Sequence, residues 1–363
     1  MADFPTTLDA ITPDWLTGVL ASELDGARVT GIAAEPVGAG IGFMASMARL
    51  ALTYDRPCAR APATVIAKVA SLDPGAIHIS STFRFYEKET RFYDELAGET
   101  AMRTPRAFLQ AFEPASGQFA LLLEDLAPAR NGDQVAGLTV ADAGVALEAL
   151  GRMHARWWDS PKLKGLDWLP DFDSPTMHAL YPVFQQCWGP YREFMSDRLP
   201  ACMPPIGERL VACVPAILAG LTKMPVTLVH GDYRADNFFF GDTDRDFTVV
   251  DWQIVLQGPG VFDVAYLLTG NLSVEDRRAS GEALVRRYHN ALLAGGVERY
   301  DFETCWRDVR LCTVFGWMWP VIAVGALDPA NERGVAFFYE WSDRVCSAIQ
   351  DMDAAEMLCQ FET

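Results

Sequence analysis

The sequence predicts an α+β protein in two parts: a strand-rich N-terminal part of about 125 residues and a larger, mostly helical part of about 235. Three observations carry this. Short runs of alternating apolar residues, punctuated by Gly, Pro and Asp, recur before residue 126. From about residue 140 onward helical spacing dominates. One small β island interrupts the helices near residues 227–251.

The elements follow in order. Asp14, Trp15, Leu16, Val19 and Leu20 have helical spacing, so residues 1–30 hold a helix or two. Residues 35–44, Glu-Pro-Val-Gly-Ala-Gly-Ile-Gly-Phe-Met, read as a strand entering a Gly-rich turn, and the alternating run from Met47 to Tyr54 as the returning strand. Thr64 to Ala70 is a further strand and Arg84 to Leu96 a helix. Phe119 to Leu126 is a strand that breaks at Ala127-Pro128. The 17 residues from Leu311 to Leu327 carry no charge. They are short for a membrane span and are interrupted by Gly316, Pro320 and Gly325, so they read as a buried core helix kinked near Pro320. The apolar run Val211 to Leu221 is shorter still.

Composition sets exclusions. Of 363 residues, 30 are Lys or Arg and 48 are Asp or Glu, a formal charge of −18. Half are apolar and 21% charged, enough for a sizeable core and against whole-chain disorder. So acidic a chain repels nucleic acid and anionic lipid unless it carries a basic patch, and no run of Lys and Arg forms one along the sequence. The expectation is therefore no nucleic-acid and no membrane partner. The eight cysteines include no C-x-x-C pair, which predicts free thiols in a reducing cytosol. The start, Met1-Ala-Asp-Phe-Pro5, has neither the basic nor the apolar region of a signal peptide, so the expected location is cytoplasmic.

The β island carries the chemistry. It runs Thr227-Leu-Val-His230-Gly-Asp232-Tyr-Arg-Ala-Asp236-Asn237, then Phe238–Phe240, a Gly/Asp-rich turn, and Phe247 to Val250 before Asp251-Trp-Gln253. Folded as an antiparallel hairpin, Phe240 faces Phe247 and Asn237 lies opposite Val250, beside Asp251. Asp232, Asn237 and Asp251 then converge where apolar strands end. An amide oxygen beside a carboxylate is a hard-oxygen pair suited to Mg²⁺, which takes one or two carboxylates plus substrate phosphates. Asp232, one loop away, is placed to accept a proton from an attacking hydroxyl. Taken singly, each of these residues is equally well read as a turn cap.

Together they carry a resemblance. His230-Gly-Asp232, then Asn237, then Asp251-Trp-Gln253 resemble the catalytic and metal-binding segments of the aminoglycoside phosphotransferase/choline kinase family. The resemblance covers nearly the whole chain, because the remaining parts fall in the expected order. It implies a protein-kinase-like two-lobe fold: a small β-rich N-lobe at residues 1–126 and a larger, mostly helical C-lobe at 127–363, with the active site between them. By analogy with kinase chemistry it implies Asp232 as the base and Asn237 and Asp251 as metal ligands, with His230 holding the loop.

The N-terminal pieces acquire roles in the same frame. Lys68 stands mid-strand in an apolar run and needs a partner if buried. Phe85, Glu89, Phe92 and Leu96 share one helix face, on which Glu89 is the only acid. A Lys68–Glu89 pair is the kinase arrangement that presents the lysine to nucleotide phosphates; Glu87 is the alternative partner, and an edge-strand lysine with a solvated head the alternative for Lys68. Gly38, Gly40 and Gly42 would cover the phosphates with backbone N–H groups, although Phe43 and Ala45 depart from the G-x-G-x-x-G pattern. The resemblance makes Leu121 to Leu126 the hinge that binds adenine, with Glu124 and Leu126 as its contacts; a plain strand fits those residues equally well. Asp263 is expected to cap the helix that follows Gly260.

The implied reaction moves the γ-phosphoryl group of ATP, with GTP as the alternative, to a hydroxyl of a small molecule with Mg²⁺. Gln257-Gly-Pro-Gly260 follows Asp251 closely and leaves no room for a protein-kinase activation loop. The aromatic-rich segments 155–225 and 300–345 read first as core, as aromatic residues mostly do; where they line a pocket they point to a bulky, partly apolar acceptor. The rival is a catalytically inactive nucleotide-binding or scaffolding member of the same fold, which the irregular Gly loop favours.

Overall fold

The computed structural model of the protein describes residues 4–37, 44–325 and 332–362. Gly38, Gly40 and Gly42 lie outside the described residues. The chain forms two compact units, one of Met1–Glu99, Thr104–Ala129 and Val250–Ile254, the other of Thr100–Arg103, Arg130–Val249 and Val255–Thr363.

The first unit is built on five antiparallel strands in the order β1-β2-β3-β5-β4: β1 Val29–Pro36, β2 Ala45–Tyr54, β3 Thr64–Ala70, β4 Ala107–Glu113 and β5 Gln118–Glu124. Strand β3 lies at the centre, with Lys68 paired to Met47 of β2 and to Leu121 of β5. A central strand is covered on both faces, so Val65, Ala67, Lys68 and Val69 are all buried. On one face Leu16, Leu20, Leu24, Val29, Leu50 and Val65 form a core. Leu16 and Leu24 belong to the short helices α1 (Pro13–Val19) and α2 (Ala21–Leu24). The Thr12 side chain caps α1 by accepting from Trp15 N at 3.2 Å. Helix α3 (Pro74–Thr82) begins at Asp73, whose carboxylate accepts from Ala76 N at 2.8 Å. Helix α4 (Phe85–Glu95) occupies the span expected from its apolar stripe, with Arg84 at φ +54° as its N-cap and Leu96 as its C-cap.

The second unit is mostly helical. Helices α5 (Val140–Trp157), α6 (Pro161–Lys164), α7 (Pro175–His178), α8 (Leu180–Met195) and α9 (Met203–Leu221) precede the β island. Helices α10 (Val261–Asn271), α11 (Val274–Ala294), α12 (Phe302–Gly316), α13 (Met318–Val324) and α14 (Glu332–Asp351) follow it. The island itself contributes β7 (Thr227–Val229), β8 (Phe238–Phe240) and β9 (Thr248–Val249); β6 (Arg130–Asn131), which precedes α5, joins the last two in the order β6-β8-β9, and β10 (Leu256–Gly258), just after the island, pairs with β7. The hairpin register is the expected one: Phe238 pairs with Val249 and Phe239 with Thr248, and the Phe240 and Phe247 rings lie 5.2 Å apart. Strand β6, only two residues long, is an addition to the expected hairpin.

Two expectations need correction. The uncharged segment from Leu311 is two helices rather than one kinked near Pro320; α12 ends at Gly316 and α13 starts at Met318. Pro320 is the third residue of α13, where a missing N–H costs no intrahelical bond, so the break falls upstream of it. Among the described residues, the helix long and apolar enough to cross a membrane by length and composition is α9, which extends well beyond the run Val211 to Leu221. Leu210, Val214, Ile217, Leu218 and Leu221 of α9 are fully buried inside the unit. All eight cysteines are free thiols.

Candidate active site

The expected site residues fall into two clusters, one in each unit. In the first unit Lys68 Nζ lies 2.7 Å from Glu89 Oε2 and 2.8 Å from Asp251 Oδ1. Glu89, not Glu87, is the lysine's partner; Glu87 pairs with Arg84. Lys68 and Glu89 are buried, whereas the Asp251 side chain is 23% exposed. One ammonium is thus shared by two carboxylates. Burial alone would lower the pKa of Lys68, but Asp251 and Glu89 together raise it, so the lysine stays protonated. Burial raises the pKa of Glu89 well above the carboxylate range, Lys68 opposes that, and Asp251 adds to it. Asp251 sits at φ +65°, in the left-handed region that Asp enters more readily than most L-residues. The next residue is anchored: Trp252 is fully buried and stacks on Phe92 of α4 at 4.0 Å. Gln253 Nε2 approaches Asp251 Oδ2 at 3.4 Å.

Glu124 ends β5 and bonds the Arg106 backbone through both its own N–H, at 2.8 Å, and its carboxylate, at 3.1 Å. Leu126 lies two residues further, in a turn closed by Ala129 N to Leu126 O at 2.9 Å. The residues following the Gly-rich segment are tied down by Tyr86, whose hydroxyl donates to Met44 O and accepts from Ser71 N.

In the second unit the loop from His230 to Asn237 is fixed at both ends. Asp263 accepts from His230 N at 2.8 Å and from Gly231 N at 2.9 Å. This corrects its expected role: Gly260 is the N-cap of α10, and Asp263, fully buried in the first turn, holds the loop instead of its own helix. His154 of α5 stands 3.5 Å from Asp263 and bonds Tyr288 of α11 at 2.9 Å. His230 is buried as expected, and its Nδ1 accepts from Asp232 N at 3.2 Å. Gly231 adopts φ +84°, which lets the chain reverse there. Downstream, Asn271 Oδ1 accepts from Ala235 N at 2.7 Å. Gly132 of the preceding turn passes so close that a Cβ there would meet Ala235 O at 2.3 Å.

Asp232 and Asn237 are brought together. Asn237 Nδ2 donates to Asp232 O at 2.9 Å and to Asp232 Oδ2 at 3.2 Å, which fixes the amide orientation and leaves Oδ1 as its outward acceptor. Asp232 Oδ2 also accepts from Arg234 Nε at 2.9 Å, and Oδ1 accepts from the Tyr266 hydroxyl at 2.8 Å. Burial would raise the pKa of Asp232, but the Arg234 guanidinium beside it and these hydrogen bonds hold it below the usual carboxylate range. Arg234 in turn reaches Asp236 at 2.6 Å.

Tyr266, Arg234 and Asp263 are the residues of this cluster that sequence reasoning missed or misjudged. Tyr266 is hidden in the apolar run Val264 to Leu268, yet it alone of the α10 residues is not buried. Its ring lies 5.6 Å from Trp341 of α14, beside the partly exposed Phe337 and Phe338.

Each unit offers a hard-oxygen donor of its own. In the second, Asn237 Oδ1 is an amide oxygen whose N–H groups are already engaged; in the first, the contact to Asp251 Oδ2 among the described residues is the long one from Gln253. Among the described residues no group of three or more His, Cys, Asp or Glu forms an all-protein metal cage. Mg²⁺ requires none, since it is held by one or two carboxylates together with substrate phosphates.

The model of the phosphotransferase enzyme family (APH) matches residues 75–302, more than half the chain, and the chain belongs to that family. The fold is that of the choline kinase from Cryptosporidium parvum Iowa II, with a TM-score of 0.59 at 10% identity over 96% of this chain and 97% of that one. A putative aminoglycoside phosphotransferase from Ralstonia eutropha JMP134 superposes with a TM-score of 0.52 at 16% identity, over 96% and 98% of the two chains. In sequence, an uncharacterized kinase-like protein of Caenorhabditis elegans, D1044.1, is 34% identical over 67 residues; the match spans 18% of this chain and 18% of that protein. The fold is thus protein-kinase-like, with a small antiparallel sheet in one part and a larger helical remainder.

Proposed function

We propose that the protein transfers the terminal phosphoryl group of a nucleoside triphosphate, ATP or GTP, to a hydroxyl of a small molecule. The carrying observation is the Asp232–Asn237 arrangement: a carboxylate kept ionised, beside an amide turned so that only its oxygen is offered. In this reading Asp232 orients the acceptor hydroxyl and takes its proton as the new O–P bond forms and the bond to the departing diphosphate breaks. Lys68, held by Glu89 and Asp251, binds the nucleotide phosphates. Gly38, Gly40 and Gly42 cover them, and backbone groups at Glu124 and Leu126 meet the base. Asn237 and Asp251 would hold Mg²⁺, which neutralises phosphate charge when bound. Residues 1–126 serve as the nucleotide lobe, residues 127–363 as the acceptor lobe, and the cytoplasm is the working compartment.

For the acceptor we favour a bulky, partly apolar alcohol. The partly exposed Tyr266 next to Asp232 continues into Trp341, Phe337 and Phe338, a run of rings. A polycationic acceptor would call for acids there. The test is phosphoryl transfer from Mg·ATP and Mg·GTP across a set of hydroxyl compounds, run beside Asp232→Asn. Transfer by the native protein with a loss of about 10²–10⁴-fold in the variant supports the reading. Equal inertness of both proteins on every acceptor would leave the inactive nucleotide-binding protein as the better account.

A further inference from the structure

Helices α5 and α11 pack closely because small residues face each other. A Cβ on Gly151 would lie 2.6 Å from Ala291 Cβ, and one on Gly295 would lie 2.3 Å from Ala155 Cβ. The long side chains flanking this seam border a cavity of about 760 Å³. Its walls carry Arg152 and Arg156 from α5 and Arg286 and Arg287 from α11, with Asn290 at the side and Glu148 as the only acid. Glu148 is shared, accepting from Arg152 at 2.8 Å and from Arg287 at 2.8 Å. Arg286 reaches Glu282, outside the lining, at 2.7 Å. The lining itself thus holds four guanidiniums and one carboxylate, a local charge of 4 − 1 = +3 in a chain of −18. None of these residues belongs to the loop or the lysine cluster described above.

We propose that this cavity binds a small molecule carrying two or more adjacent phosphate-type anions, at a site separate from the phosphotransfer residues. Guanidinium forks match phosphate oxygens two at a time, and arginines from two facing helices can grip adjacent groups from opposite sides. A single carboxylate shared between Arg152 and Arg287 already offers one negative charge, so an incoming ligand needs more than one to compete. The volume fits a compact metabolite. The acidity of the chain as a whole disfavours a long polyanion such as nucleic acid.

The test is calorimetric titration of the full chain with tripolyphosphate, pyrophosphate, inorganic phosphate, ATP and a single-stranded oligonucleotide, without Mg²⁺ and at low and high salt. Three variants accompany the native protein: Lys68→Met, Arg156→Gln/Arg286→Gln, and Asn290→Glu. The double variant leaves both arginine bonds to Glu148 intact, and thermal melts check its fold. The expected result is binding of tripolyphosphate by the native protein and by Lys68→Met alike, weakened about tenfold or more in the other two and by added salt. Pyrophosphate binding as well as tripolyphosphate marks a free diphosphate as the ligand; a clear preference for ATP marks a nucleotide tail. The proposal is overturned if Lys68→Met abolishes binding, if both cavity variants bind like the native protein, or if only the oligonucleotide binds.

Discussion

Glu89 and Asp232 are both enclosed carboxylates beside a cation, yet their pKa values are displaced in opposite directions. Glu89, in the sheet unit, lies 2.7 Å from Lys68, and its pKa is pushed up. Asp232, in the helical unit, lies 2.9 Å from Arg234, and its pKa is held down. The difference is in the company each keeps. Lys68 is divided between Glu89 and Asp251 and Arg234 between Asp232 and Asp236, so a shared cation does not separate the two acids. Glu89 has its share of Lys68 set against the like charge of Asp251, whereas Asp232 collects Asn237 and Tyr266 as well as Arg234 on its two oxygens. Enclosure alone does not decide the charge of a buried acid; the donors it collects do. Each state suits its proposed role, since a base must stay ionised, whereas Glu89 need only hold a lysine in place.

Removing Lys68 should disturb this contrast most. In Lys68→Met, Glu89 loses its cation and its folded-state pKa rises further above the unfolded value. A carboxyl whose folded pKa is raised binds its proton more tightly in the folded protein, so its stability contribution is lost as pH rises through that pKa. Thermal melts between pH 5 and 9 should show the variant losing about 3 kcal/mol more than the native protein toward the alkaline end. A pH-independent difference would mean that Glu89 is not the group left unpaired.

A buried cation with no acid bonded to it among the described residues extends the series. Lys88 of α4 is 4% exposed, and its Nζ lies 5.2 Å from the centre of the Phe85 ring. Burial, with Arg84 adding to it, lowers its pKa to about 7. The unfolded chain therefore binds a proton that the folded one gives up between about pH 7 and pH 10, and stability rises with pH across that window. Lys88→Met removes the penalty. It should stabilise the protein by about 2 kcal/mol at pH 6 and by little above pH 10, read from chemical denaturation at the two pH values. No gain at pH 6 would show that Lys88 reaches an anion or solvent.

How much of this was legible in the sequence depends on where each partner lies. The hairpin register could be counted from Phe238–Phe240 and Phe247 to Val250, because short-range pairing follows from alternation and a turn. Lys68 and Glu89 were legible because each breaks an apolar pattern, and a buried charge demands a partner. Asp263 was misjudged because the capping pattern reads the same whether a carboxylate serves its own helix or, as here, the N–H groups of His230 and Gly231. Tyr266 was invisible inside an apolar run; nothing local separates a packed tyrosine from one whose hydroxyl meets an acid 34 positions away. The arginines of the α5–α11 cavity occur as two separated pairs, so no basic run marks them, and only helix packing through Gly151 and Gly295 gathers them.

The smallest expected effect isolates one donor at Asp232. Tyr266→Phe removes the hydroxyl that bonds Oδ1 and leaves Arg234 and Asn237 on Oδ2. With one donor fewer the folded-state pKa of Asp232 moves up toward its ordinary value. If Asp232 is the base, the acidic limb of the kcat/KM profile should move to higher pH by about one unit or less, since a hydrogen bond to a charged group is worth about 1.5–3 kcal/mol and the other donors remain. A tyrosine that merely packs against Trp341 would lower the plateau and leave the limb where it is. Arg234→Lys offers the matching control on the other oxygen: it keeps the charge but loses the Nε bond, so its limb should shift in the same direction. A limb that moved with neither substitution would assign the titration to some group other than Asp232, and the contrast with Glu89 would lose its functional meaning.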